Sequence, residues 1–253
     1  MVDTWEVYNF SNYYLSELHQ LIKEDKVPQF KIDYFYNASQ HEYKKKDLFG
    51  IIDHSIKLAN PKRALIDLVS LTEHYLQEIT VLVYKDFPQK LDSKDNKEEQ
   101  VDRQQKIITM ILESVDKDEI INKIIEEKVR NIFYGNPTDF FTKDKAKIGI
   151  GKFFEGNHIN SIKKYKEIIA RRNIYIHNNG RVDRKYLREV ESTSFKLGNK
   201  LKIDKEYLRE CVIVLRGFAC IATKLVLENT YHAPFVDSKI LRQYKTFHRL
   251  YNV

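Results

Sequence analysis

Helix breakers are scarce in this chain, and the stretches between them repeat apolar residues at helical spacing. Gly and Pro number 8 and 5 among 253 residues. Few breakers, with Leu, Ile, Lys and Glu plentiful, favour long helices over a sandwich or barrel. The fold class expected is all-α. One clear period runs from residue 60 to about 85, through Leu65, Leu68, Leu71, Tyr75, Ile79 and Leu82. Another runs over 204–231, through Leu208, Val212, Leu215, Phe218, Ile221 and Leu225.

Punctuation divides the rest. Residues 5–23 carry Tyr8, Leu15, Leu18 and Ile22 at helical spacing. Residues 27–36 alternate and are aromatic, so that Phe30, Ile32 and Tyr34 suit a short strand or an extended arm. Residues 42–58 return to helical period. Asn60-Pro61 reads as a helix start, with Asn as cap and Pro in the first turn. Residues 86–100, dense in charge and holding Pro88, Ser93, Asp95 and Asn96, read as a solvated loop. Helices are expected over 101–114 and 119–134, the second ended by Gly135. Asn136-Pro137 repeats the start signal, and a short helix interrupted by Gly149 and Gly151 is expected over 140–154. The next helix, 160–178, is stopped by Gly180, and Asp183 caps one more. Pro234 breaks the chain before a basic, aromatic tail over 239–253, for which packing against the rest of the protein is expected.

The formal net charge is +7. A basic balance suits a polyanionic partner, although it also serves plain solubility. Cys211 and Cys220 lie in an apolar helical run and read as buried thiols, not as a bridge or a zinc site. His19, His41, His54, His74, His158, His232 and His248 are scattered without metal-ligand spacing, so neither metal nor cofactor is expected. Gly149-Ile150-Gly151 lacks the strand that precedes a phosphate-binding fingerprint. Met1 to Phe10 lacks the basic start and apolar core of a secretory leader. The longest apolar run, 219–227, is broken by Lys224 and too short for a bilayer. A cytoplasmic protein without a membrane partner is expected.

The informative segment is Ile168-Ile169-Ala170-Arg171-Arg172-Asn173-Ile174-Tyr175-Ile176-His177-Asn178-Asn179-Gly180. Ile162, Tyr165, Ile169 and Ile176 fall on one stripe of its helix, expected to be buried, with Arg172 and Asn173 on or beside it. His177 follows Asn173 by one turn, on the same face. A cation, an amide and an imidazole thus interrupt an apolar face together. An unpaired buried charge is costly. Either a carboxylate pairs with Arg172 in an internal network, or the face lines a cleft or meets a second subunit. The second arrangement suits RNA cleavage by the substrate's own 2′-OH. That reaction needs a base for the 2′ proton, an acid for the leaving 5′-oxygen, and a cation on the crowded phosphorane. Imidazole serves as acid or base near neutrality. Guanidinium grips phosphate oxygens in a fork. Two copies related by a two-fold axis supply two imidazoles.

Arg172-Asn173-Ile174-Tyr175-Ile176-His177 resembles the Arg-x(4–6)-His motif of HEPN domains. The flanks are similar too, with Phe133-Tyr134-Gly135-Asn136-Pro137 upstream and Val182-Asp183, Tyr186 and Leu187 downstream. The resemblance spans residues 60–231, and the motif is its one sharp part. It implies an antiparallel helical bundle with extra N-terminal and C-terminal helical segments. The expected organisation is an accessory segment 1–59, a HEPN-like bundle 60–231 and a tail 232–253, in one compact unit. It also implies a homodimer formed through the motif face, acting as a metal-independent endoribonuclease of toxin or antiviral-defence type. RNA is then the substrate, and an antitoxin or defence-system protein a partner. By match, Arg172 and His177 are the catalytic pair and Asn173 the polar residue beside the Arg. Arg171 satisfies a looser spacing and is the rival for the cation's role. Arg171, Asn178, Arg181, Arg184 and Lys185 are candidates for holding RNA phosphates. Some HEPN toxins carry a modifiable Tyr two residues after the His; here that position is Asn179. A non-catalytic module that uses the same face to dimerise or to bind a partner or RNA is the rival reading.

Overall fold

The computed structural model describes residues 1–27, 31–33, 40–91, 116–134, 136, 138–150, 153–154, 159–190 and 193–251. Over these the chain is mostly helical. It divides into two compact units, Met1–Val69 with Ala170–Ile213, and Ser70–Ile169 with Val214–Val253. The division passes through three helices instead of falling between residues 59 and 60 or 231 and 232.

The first unit opens with α1 (Val2–Lys23). Its inner side brings in Tyr8 and Ile22, both buried. Its outer side carries Val7, Phe10, Tyr13 and Tyr14 in solvent, with Phe10 65% exposed. A two-stranded antiparallel pair follows, β1 (Lys31–Asp33) against β2 (Gln40–Glu42), with Ile32 opposite His41. The first strand falls within the expected arm. The second does not, because its residues Gln40, His41 and Glu42 lack the β-branched and aromatic side chains that signal a strand. Phe30, Tyr34 and Tyr36 of that arm lie outside the described residues.

α2 (Lys45–His54) then runs through a π-helical turn, Ser55–Ala59, straight into α3 (Asn60–Asp86). The expected start at Asn60-Pro61 is therefore overturned. Asn60 is helical (φ −64, ψ −48) and its N–H donates to the Ser55 carbonyl, five residues back. Its side chain donates to Asn12 Oδ1 at 2.8 Å instead of capping a helix. The wider turn is what admits Pro61, whose ring clashes with an ordinary α-helical turn and which has no N–H to give.

In the second unit α3 continues to Asp86 and a 3-10 turn closes it (Pro88–Leu91). The helix expected over 101–114 lies outside the described residues. α4 (Lys117–Phe133) is capped by Asp116, which accepts from the Glu119 N–H. Extended backbone at Tyr134 ends α4, and Gly135, the expected cap, is outside the described residues, as is Pro137. The helix expected over 140–154 is reduced to one turn, α5 (Asp139–Thr142). Left-handed backbone at Asp144 and Lys147 then turns the chain. The carbonyls of that turn are taken up by side chains: Ala146 by the Tyr84 hydroxyl, Ile148 by Thr230, and Gly149 by the Asn229 amide.

α6 (Ile159–His177), α7 (Arg184–Glu189), α8 (Lys205–Asn229) and α9 (Ser238–Tyr251) complete the helices. The core of the second unit is aromatic. Phe218 stacks on Phe154 and on Tyr165, each at 4.9 Å between centroids, and meets Phe141 edge-on at 4.8 Å. α9 docks through Phe247, 1% exposed, whose ring lies on the α8 backbone at Gly217. A Cβ at Gly217 would sit 2.2 Å from Phe247 Cδ2, so only glycine allows this approach. The tail thus packs down as expected. Cys211 is buried, Cys220 is half-buried, and they form no disulfide. No helix among the described residues is long and apolar enough to cross a membrane.

Candidate functional site

The last two turns of α6 and the residues that follow belong to the first unit. Their buried face is not the expected one. Ile174 and Tyr175 are each 2% exposed, whereas Ile176, expected in the core, is 43% exposed. Tyr175 decides the orientation. Its hydroxyl donates to the Leu201 carbonyl, and its ring covers Gly180. Burial pushes its phenol pKa up, against the smaller opposite pull of the Arg171 cation, so it stays a donor.

Rotation of the face separates the two arginines. Arg171 is the interior one, 8% exposed. Its Nη1 donates to the Lys202 carbonyl at 3.0 Å, and its guanidinium carbon lies 3.9 Å from the Tyr207 ring centroid. A desolvated cation over an aromatic face contributes up to ~2 kcal/mol. The expectation that Arg171 holds phosphate at the surface meets a side chain already committed inside. Arg172 is half-buried and interacts within the protein. Asn173 is half-buried, and His177 is exposed at the final residue of α6. Successive helical residues turn by about 100°, so Asn173 and His177 share a face with exposed Ile176.

The helix end is held tightly. The N–H groups of Asn178 and Gly180 both donate to the Ile174 carbonyl, with left-handed backbone at Asn179 and Gly180. Asn178, a candidate for RNA contact, donates its side-chain amide to the Arg181 carbonyl at 2.8 Å and so braces the turn. Val182 donates to Asn199, Gly198 to Val182, and Leu201 to Gly180, tying the helix end to the loop before α8. Asp183 caps α7 by accepting from the Tyr186 N–H, as expected.

Gly180 tests this construction. A Cβ there would meet Tyr175 Cζ at 2.8 Å on backbone with φ +74. Gly180→Ala is expected to cost roughly 1–3 kcal/mol, since left-handed strain and an intruding methyl add. A thermal melt unchanged from wild type would refute the tight packing of Tyr175 over this turn.

Comparison with protein-family models, curated proteins and solved structures finds no match to this chain.

Arg181, Arg184 and Lys185 are exposed, as candidates for phosphate contact must be. Lys185 is shared with Glu189 at 3.8 Å, and Arg181 Nη1 approaches the Gly198 carbonyl at 3.4 Å. Sequence reasoning missed Lys200, which stands directly opposite Arg181 in an isolated antiparallel bridge. Like charges placed opposite each other are unfavourable without an anion between or beside them. Lys196 and Lys202 are exposed on the same loop. No periodicity signals this cationic edge, because the pairing joins residues about twenty apart through backbone alone. Among the described residues, no group of three or more His, Cys, Asp or Glu side chains is placed to hold a metal ion.

Proposed function

We propose that the chain is a HEPN-like, metal-independent endoribonuclease of toxin or antiviral-defence type, built on an antiparallel helical bundle. The observation that carries the reading is the Arg172-Asn173-x3-His177 motif at the end of α6, with the imidazole in solvent on a braced helix end. Exposed Ile176 beside it supports a homodimer through this face, in which two His177 side chains flank one RNA strand. The substrate's 2′-oxygen attacks the adjacent phosphorus as one His177 takes its proton. The bond from phosphorus to the 5′-oxygen breaks as the second His177 protonates the leaving oxygen. Arg172 stabilises charge on the phosphorane, and Asn173 orients the RNA or the imidazole. The products are a 2′,3′-cyclic phosphate and a 5′-hydroxyl. Arg181, Lys200, Arg184 and Lys185 hold flanking phosphates.

Exposed Ile176 also favours a second reading, a non-catalytic module that pairs or binds a partner through the same face. Incubation of the protein with RNA in excess EDTA separates the two. Cleavage at the rate seen without chelator, with cyclic-phosphate ends on the products, is the expected result. Activity lost in EDTA and restored by Mg²⁺ would move the chemistry to carboxylates and remove His177 from it. No cleavage under any condition would leave the binding module.

A further inference from the structure

α9 contains Lys239, Arg242, Lys245 and Arg249 and not one carboxylate in its 14 residues. All four cations are exposed, and they make no ion pair among the described residues. Spacings of three, three and four residues keep them within one side of the helix, along a row of about 15 Å at 1.5 Å per residue. His248 is exposed beside the row. Ion pairs between neighbouring turns are the ordinary use of surface charge on helices, as Lys224 with Glu228 on α8 illustrates. A row of like charges repels itself, and a bound polyanion relieves that repulsion.

The opposite side of α9 is already used. Phe247 is laid on Gly217, Phe218 lies 5.9 Å from it, and Tyr251 packs 4.9 Å from it. Tyr244 takes Lys224 over its ring at 5.6 Å. A helix that binds a lipid surface inserts its apolar face, but here that face is committed to α8. Leu250 is the one large apolar side chain of α9 left in solvent. A cationic row with a single exposed apolar side chain beside it fits a phosphodiester backbone better than a bilayer.

We propose that the outer face of α9 is a binding rail for the RNA backbone, indifferent to sequence. This inference rests on the ribonuclease reading for its choice of RNA, and names a surface that the motif does not contain. The test uses full-length protein carrying His177→Ala, so that RNA survives the measurement. Fluorescence anisotropy follows binding of a short, mixed-sequence single-stranded RNA over a series of salt concentrations. Each cation–phosphate contact adds about 0.7 to the slope of log affinity against log salt. Adding Lys239→Gln, Arg242→Gln, Lys245→Gln and Arg249→Gln together is expected to flatten that slope by about 2–3 and to weaken low-salt binding by roughly 10- to 100-fold. Lys245→Gln alone, which disturbs nothing buried, is expected to remove about 0.7. RNA that fails to bind, or binds with an unchanged slope to a folded quadruple variant, overturns the proposal. So does binding to phosphatidylserine vesicles that the four substitutions abolish while RNA binding persists. The two readings fail separately. Protein with His177 intact that binds RNA through α9 and never cuts it retains the rail and loses the nuclease. Protein that cuts RNA while the quadruple variant binds as tightly as its parent retains the nuclease and loses the rail.

Discussion

Replacing His177 with alanine is expected to slow RNA cleavage by about 10²–10⁴-fold, the usual loss of a general acid–base group. The fold should survive, because the imidazole is exposed and makes no hydrogen bond or ion pair among the described residues. Circular dichroism and the melting temperature should match wild type. A folded His177→Ala protein that cuts RNA at the wild-type rate ends the catalytic assignment. Arg172 needs a different experiment. It is half-buried and engaged within the protein, so its removal to alanine confounds stability with chemistry. Arg172→Lys keeps a cation but loses the planar fork that grips phosphate. Cleavage that falls steeply in Arg172→Lys at an unchanged melting temperature supports a role on the phosphorane. A drop in melting temperature with cleavage preserved supports the internal network instead.

Phe218→Ala is the substitution expected to damage the fold most. The ring is fully buried and lies within 5 Å, centroid to centroid, of Phe141, Phe154 and Tyr165. Truncating a buried Phe costs about 3–5 kcal/mol, as transfer and cavity terms add. That is a large part of a typical domain stability of roughly 5–15 kcal/mol. The midpoint of urea unfolding, followed by circular dichroism, reads the loss. A change within ~0.5 kcal/mol, as for a surface position, would contradict the aromatic core described here. Phe247 rests edge-on against Phe218 at 5.9 Å, so α9 should loosen in the same variant.

The apolar period was legible where a helix is long and amphipathic. α3 and α8 lie where the period put them, and the cap at Asp183 is read from a side chain that accepts a bond three residues on. On α8 the expected stripe is the buried one, but on α3 only Leu65 and Leu68 of it are buried: Leu71, Tyr75 and Leu82 are exposed, and Thr72, Leu76, Thr80 and Val83 face the interior instead. Reading failed where backbone geometry departs from the standard helix. Asn60-Pro61 carries a start signal, yet a π-helical turn lets the helix run through it. The turn after α5 is fixed by Tyr84, Asn229 and Thr230, partners up to 82 residues away. At the motif, spacing correctly joined Asn173 and His177 on one face of α6. It placed Ile176 inside and set Arg172 on or beside the buried stripe, where the structure makes Arg171 the buried arginine. Two neighbouring residues differ by only about 100° in direction. The choice between them was made by Tyr175, Tyr207 and the Leu201–Lys202 backbone, which no local pattern announces.

The π-helical turn at Ser55–Ala59 has a consequence for how fast amide protons are lost to solvent. α2 and α3 form one unbroken helical run, but Pro61 contributes no amide to it, and Asn60 reaches back five residues instead of four. A seam of this kind opens without unwinding the turns on either side. Amides around the seam should therefore exchange with deuterium sooner than those near fully buried Leu65 and Leu68, so that a continuous helix reports itself as two protected blocks.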